Sequence, residues 1–192
     1  LVCCGSVLFR TGYDASEIVK KNKAIIGNKK VVCACSGCYA TLKKDYGLGP
    51  TQIVHLVEFL QDKIDRLKLG DVKCKVVYHD PCHLGRKFKV YEEPRKIISS
   101  IPGTQLVEFS KNRGEAQCCG AGGGVKSSKA DIAKKLASKK VEEAEKLGVD
   151  AIVSSCPFCE LNIGENTKIP VYDVSEYVAK AMGERKAVRK GK

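Results

Sequence analysis

Nine of the eleven cysteines in this 192-residue chain fall into two sets whose types and spacing suit metal or redox chemistry. In the C-terminal set, 35 residues separate Cys82 from the adjacent pair Cys118 and Cys119, 36 follow, and Cys156 and Cys159 close the series: C-x35-CC-x36-C-x-x-C. The N-terminal set is Cys3, Cys4, Cys35 and Cys38. A bridge between sequence neighbours is disfavoured, because Cα atoms one peptide apart stand about 3.8 Å from each other, short of the usual 4.4–6.8 Å. Three chemistries compete. A thioredoxin-like dithiol at "CPFC" (156 to 159) leaves Cys82 and the adjacent pair without a role. Zinc takes four ligands, which suits the N-terminal set and leaves one thiol over in the C-terminal one. An iron–sulfur group is held mainly by thiolates, although five is unusual for a cubane.

The neighbouring residues favour an anionic, sulfur-rich centre. Gly120 and the run Gly122 to Gly124 let backbone N–H groups approach a negative charge. Pro157 suits a first helical turn, so Cys156 and Cys159 flank a predicted helix start whose partial positive charge favours thiolate. His79 and His83 bracket Cys82 and suit either proton delivery to a leaving thiolate or a hydrogen bond beside the site. Asp80 with Pro81 is expected to shape the turn delivering Cys82, and His55 to start a helix. Cys33, aligned with Ser154, reads as a small buried residue, with a substitute ligand for the N-terminal set as the alternative, and Cys74, at a strand start outside every motif, reads as structural.

These residues need scaffolding, and the chain repeats itself to supply it. "VCCGSVLFRTG" (2 to 12) is answered by "QCCGAGGGVKS" (117 to 127), "VVCACSGCY" (31 to 39) by "AIVSSCPFC" (151 to 159), and "VHLVEFL" (54 to 60) by "YDVSEYV" (172 to 178). In this register Cys35 matches Cys156, Cys38 matches Cys159 and His55 matches Asp173. The expected units are 1–70 and 71–192. β-Branched runs at 31–34, 75–79, 105–109, 151–154 and 170–172 predict buried strands, and helical spacing over 128–147 predicts the longest helix. The predicted fold is α/β: two similar lobes, each a small, mainly parallel sheet flanked by helices, related by an approximate two-fold with the cysteine loops facing a shared cleft.

Composition narrows the setting. Hydrophobic residues make up 43% of the chain, enough for a core, and neither an 18-residue apolar span nor a secretory signal is visible. The expected compartment is the cytosol, where clustered cysteines are ligands or redox groups rather than a disulfide framework. The formal charge of +12 does not indicate nucleic acid: the lysines are scattered in pairs along amphipathic stretches without interleaved aromatics.

"HDPCHLGR" (79 to 86), "CCGAGGGV" (118 to 125) and "CPFC" together resemble the cysteine-rich CCG domain family, whose best-known members are catalytic subunits of heterodisulfide reductases. "VYEEPRKIISSIPGTQLVEF" (90 to 109) makes the chain similar to the archaeal, cytochrome-b-linked kind. The resemblance implies a noncubane 4Fe-4S cluster on Cys82, Cys118, Cys119, Cys156 and Cys159 with Gly120 beside it, the adjacent cysteines engaging different irons. It implies redox catalysis at Cys82, Cys118 and Cys119, beside which His83 is the candidate proton donor by position, and a disulfide or thiol substrate, in methanogens the mixed disulfide of coenzymes M and B. Electrons would arrive singly from a partner protein, a membrane cytochrome b or a ferredoxin-like subunit, through which the chain could sit at a membrane. CCG domains also occur in lactate-, glycolate- and succinate-oxidising complexes, which sets an electron-transfer or assembly role beside the catalytic one, and a zinc-only structural module is the third reading. The N-terminal set departs from the family pattern. It lacks a counterpart to Cys82, so it is expected to hold zinc or an incomplete second cluster, and the chain, opening on Leu1, is expected to lack a cysteine roughly 30–40 residues upstream of Cys3 by analogy with the repeat.

Overall fold

The computed structural model describes residues 2–49 and 52–183. Leu1, residues 50 and 51, and the tail 184–192 of the second expected unit lie outside the described residues. Six strands occur among the described residues: β1 (Val31–Cys33), β2 (Ile53–His55), β3 (Cys74–His79), β4 (Thr104–Glu108), β5 (Ala151–Ser154) and β6 (Val171–Asp173). The helices are α1 (Ser6–Thr11), α2 (Ser16–Ile26), α3 (Ser36–Ala40), α4 (Leu56–Gln61), α5 (Gly85–Phe88), α6 (Glu92–Ser99), α7 (Val125–Ser128), α8 (Ala130–Lys146), α9 (Pro157–Gly164) and α10 (Val174–Ala181).

Among the described residues every strand pair is parallel. β1 and β2 form a two-stranded sheet, and the other four strands run in the order β4-β3-β5-β6. This is the α/β architecture expected from strands alternating with helices, two small parallel sheets covered by helical layers. Parallel strands joined by crossovers gather their loops at one sheet edge, and each C-x-x-C begins there, two residues beyond the end of β1 or β5.

The two halves run through the same local sequence of events. β1 leads into Cys35 and α3, then β2 pairs back on β1 with Cys33 opposite His55. β5 leads into Cys156 and α9, then β6 pairs back with Ser154 opposite Asp173. These are the residues that the repeat sets on one another. His55 and Asp173 each close a capping box, with Glu58 and Glu176 respectively, which satisfies N–H groups that a helix start would otherwise leave unpaired.

The sheets divide between the expected units, but the core does not. One buried cluster joins Tyr39, Ile53 and Val57 to Tyr78, Ile97, Ile98 and Tyr177, each apolar side chain stabilising the fold by about 1.5–3 kcal/mol. A second cluster lies wholly in the C-terminal half and includes Val77, Phe109, Ala144, Ile152 and Ile163 with Cys119, Cys156 and Cys159. The long predicted helix is α8, which begins at Ala130; Lys129, at φ −141° and ψ 60°, separates it from the short α7. No helix among the described residues is long and apolar enough to cross a membrane.

Candidate metal centre

Cys82 follows a turn that is fixed from several sides. The Asp80 carboxylate, 3% exposed, accepts from both terminal nitrogens of Arg95 at 2.8 Å and from the Arg113 N–H at 2.9 Å. Arg95 also donates to Glu108 from Nε at 2.6 Å and Nη2 at 2.9 Å. Asp80 thus anchors the turn expected of it through an ion pair buried beside the sheet. Removing one partner would strand a buried charge at a cost of about 3–5 kcal/mol.

The adjacent pair is held by a buried amide. Asn162 of α9 donates from Nδ2 to the Cys119 carbonyl at 2.7 Å and to the Ala133 carbonyl at 3.1 Å, and its Oδ1 accepts from Lys126 at 2.9 Å. Gly120 sits at φ +89° where a Cβ would come within 3.0 Å of the Ala133 backbone, so only glycine lets the loop lie this close to α8. Its N–H donates to Cys118 Sγ at 3.3 Å. In the N-terminal half Asn22 does the equivalent work: Nδ2 donates to the Cys3 carbonyl at 3.1 Å, Oδ1 accepts the Val2 N–H at 3.1 Å, and the Tyr46 hydroxyl donates to the Cys4 carbonyl at 3.1 Å. Sequence reasoning passed over both asparagines. The available signal was an amide at an apolar position of a helix, Asn22 and Asn162 being 1% exposed.

Cys156 is the N-cap of α9 with Pro157 in the first turn, and Cys35 is the N-cap of α3. All five cysteines of the C-terminal set line one cavity of about 20 Å³, together with His83 and Phe158. The structure also brings the two sets into contact. Cys119 and Cys159 sulfurs are 3.1 Å apart. The side chains also act on one another as near neighbours, Cys82 on Cys118, Cys118 on Cys119, Cys159 on Cys156, Cys156 on Cys35, Cys35 on Cys38 and Cys38 on Cys4. Eight sulfurs therefore run continuously from one half to the other. The Ser36 hydroxyl, donating to the Ser155 carbonyl at 2.5 Å, ties the two C-x-x-C loops together beside them. Above lies a cleft of about 380 Å³ whose walls include Cys3, Cys4, Cys35, Cys38, Gly122 to Gly124 and Cys156. All four cysteine-bearing loops face it, as expected.

The thiols polarise one another. Hydrogen bonds from Cys119 and Cys82 pull Cys118 down to about 2, and those from Cys156 and Cys38 pull Cys35 down to about 2. The hydrogen bond from Cys38 lowers Cys4 to about 6. Their donors move the other way: Cys119 is pushed up to about 11 by its bond to Cys118 and by burial, and Cys82, Cys38 and Cys159 are raised for the same reasons. The neighbouring sulfurs thus push Cys118, Cys35 and Cys4 toward the thiolate and Cys119, Cys82, Cys38 and Cys159 toward the thiol. A bound cation would replace the thiol protons. The cavity lining carries no carboxylate, so the donor set is a soft one that fits iron–sulfur or zinc chemistry.

The other candidate residues separate clearly. His83 stands on the cleft wall with Nδ1 3.8 Å from Cys82 Sγ. His79 is 1% exposed, and its ring, Cys119 and Cys159 offer ligand atoms within 4.8 Å of one another. Cys33 packs in the core, its thiol pushed up to about 12 by burial. Cys74 begins β3, hydrogen-bonds to Tyr177 and stands outside the sulfur series.

A sequence model of the cysteine-rich CCG domain matches residues 1–43 and 76–164. The chain is 47% identical over 170 residues to one of the polypeptides of the CoM/CoB fumarate reductase of Methanothermobacter marburgensis, covering 86% of this chain and 34% of that protein. It is 41% identical over 202 residues to one of the polypeptides of the dihydromethanophenazine:CoB–CoM heterodisulfide reductase of Methanosarcina acetivorans, covering 94% of this chain and 49% of that one. The chain therefore spans between a third and a half of these curated relatives. A crystal structure of a hypothetical protein from Helicobacter pylori shares the fold, with a TM-score of 0.52 at 14% identity over 90% of this chain and 32% of that one.

Proposed function

Because the chain belongs to the cysteine-rich CCG domain family, we propose that it is the disulfide-reducing part of an iron–sulfur oxidoreductase and that its two halves are copies of one unit. Its relatives include subunits of reductases. The observation that supports the reading best is the convergence of Cys82, Cys118, Cys119, Cys156 and Cys159 on one cavity directly below an open cleft. Those five cysteines would hold a noncubane 4Fe-4S cluster, which when bound supplies electrons one at a time and a thiophilic surface to a two-electron reaction. Gly120 N–H would face its negative charge. The substrate is a small mixed disulfide of the coenzyme M and coenzyme B type, entering between the loops. His83, on the cleft wall beside Cys82, holds the proton for the departing thiolate, and Phe158, 48% exposed at the same wall, shields the site from water. Each turnover consumes two electrons and two protons and releases two thiols. The electrons come from a partner protein, a membrane cytochrome b or a ferredoxin-like subunit, on the cytoplasmic side. The N-terminal set, Cys3, Cys4, Cys35 and Cys38, holds zinc or a second cluster.

A second reading is favoured by the likeness to the fumarate reductase polypeptide: an electron-transfer or assembly component of a 2-hydroxy-acid or succinate complex, without a disulfide substrate. Anaerobic reconstitution followed by iron, sulfide and zinc analysis tests the cluster. Cys118→Ser and Cys119→Ser should each abolish the C-terminal iron, and Cys74→Ser should leave it unchanged; equal loss in all three would overturn the ligand set. Oxidation of a reduced viologen dye by a mixed disulfide, catalysed by the iron-loaded protein, supports the catalytic role. Dye oxidation by the loaded chain that ignores the disulfide supports the second reading. A colourless chain carrying zinc and no iron rejects both.

A further inference from the structure

Among the described residues of the C-terminal half, three buried side chains carry atoms with no hydrogen-bond partner: both ring nitrogens of His79, the Nζ of Lys140 and one carboxylate oxygen, Oδ2, of Asp173; His79 and Lys140 are each 1% exposed. Interiors rarely leave such groups unsatisfied, and each instance calls for a water, an ion or a function. An imidazole with both nitrogens idle can donate a lone pair to a cation, and this ring stands among sulfurs. Its ligand atom and those of Cys119 and Cys159 all lie within 4.8 Å of one another, with the two sulfurs 3.1 Å apart. Cys156 lines the cavity beside Cys119 and Cys159 but lies outside the three-atom group, so as a fourth donor its side chain would turn toward the cation. Tetrahedral zinc, with bonds of about 2.0–2.1 Å to nitrogen and 2.3 Å to sulfur, sets its donors roughly 3.5–3.8 Å apart, within the observed spread. The cavity of about 20 Å³ is also of single-ion size, since roughly 10–15 Å³ already admits one water. A group of several irons would need the loops to part.

We propose that the iron-free chain holds one zinc-class divalent cation at His79, Cys119, Cys156 and Cys159, a site of three sulfurs and one nitrogen separate from the N-terminal cysteine set. Binding exchanges three thiol protons for the cation, leaving one net negative charge among buried groups. Lys140 supplies an offset: its ammonium lies over the Phe109 ring at 4.2 Å, reaches only to 3.9 Å from Glu143, and acts electrostatically on the His79 ring. The inference goes beyond the cluster reading and does not rest on it, because it concerns the chain without iron. The two occupants exclude each other, since three sulfurs serve both.

The test is titration of the metal-free, reduced chain with ¹¹³Cd²⁺ in a Cys4→Ser/Cys38→Ser background, read by cadmium NMR, whose shift separates three-sulfur, one-nitrogen coordination from four-sulfur coordination. One ion with the mixed donor shift is expected. Zinc competition should show His79→Ala weakened by more than the roughly 10- to 100-fold that losing an outer partner costs, while Cys82→Ser binds as the background does. A four-sulfur shift, absence of binding, or equal losses in His79→Ala and Cys82→Ser overturns the assignment. The shift is read on a chain with His79 intact, so it decides the matter even if His79→Ala fails to fold.

Discussion

His55 caps α4 through Nδ1, which accepts the Val57 N–H at 3.3 Å, while the matched position in the other half uses the carboxylate of Asp173. An accepting Nδ1 requires a neutral ring. The ring is 1% exposed, edge-on to Tyr39, 3.5 Å from the Ser36 hydroxyl and hydrogen-bonded to the Ser155 backbone. Burial depresses it to about 4, against the opposing effect of Cys35. An ordinary histidine titrates near 6.5, so below that the unfolded chain binds the proton more readily than the folded one. The stabilisation is complete above pH 6.5 and is lost as pH falls toward 4, by up to about 3 kcal/mol. Urea unfolding of the metal-free protein at pH 7.5 and 5 should show this loss, and His55→Asn, which keeps a capping acceptor, should show less of it. Identical pH dependence in both proteins would mean that His55 is not the group responsible.

At the scale of elements, β5 lies between β3 and β6, whereas β1 has β2 on one side and no strand among the described residues on the other. That unpaired edge borders a groove of about 310 Å³ lined by Val31, Val32, Cys33 and Leu42 among others. Free N–H and C=O groups on such an edge are a template for another strand. The isolated chain should therefore self-associate as its concentration rises, and Val32→Lys should reduce the association; sedimentation velocity of both proteins checks this, and two concentration-independent monomers would show the edge to be covered. The strands flanking the C-x-x-C motifs were legible in the sequence because β-branched runs meet cysteine and helix-start chemistry within a few residues. β2 was not read as a strand; its three residues run straight into α4, as those of β6 do into α10. The longest helix, α8, was legible because Ile132, Leu136 and Val141 keep helical spacing along it. The cysteine sets were readable because ligand type and spacing survive any packing, while Asn22, Asn162 and the Arg95–Asp80 pair were not, because each acts across 15 residues or more.

For the whole molecule, the buried cluster shared by both halves and the bond from Ser36 to Ser155 make one body of the two proposed copies. The continuous series of eight sulfurs crosses that body from Cys82 to Cys4. In a metal-free chain, thiolate attack passes a disulfide along the stretch from Cys119 to Cys4, each step breaking one S–S bond and making another with no net change in oxidation. A single bridge introduced by dioxygen can thus migrate between the halves. Alkylation and peptide mapping after brief exposure to air should find a mixture of isomers, including one joining Cys35 to Cys156, with Cys74 alkylated throughout. One fixed bridge would show that the contacts do not exchange. Without its metal, the molecule would hold an oxidising equivalent that has no fixed address.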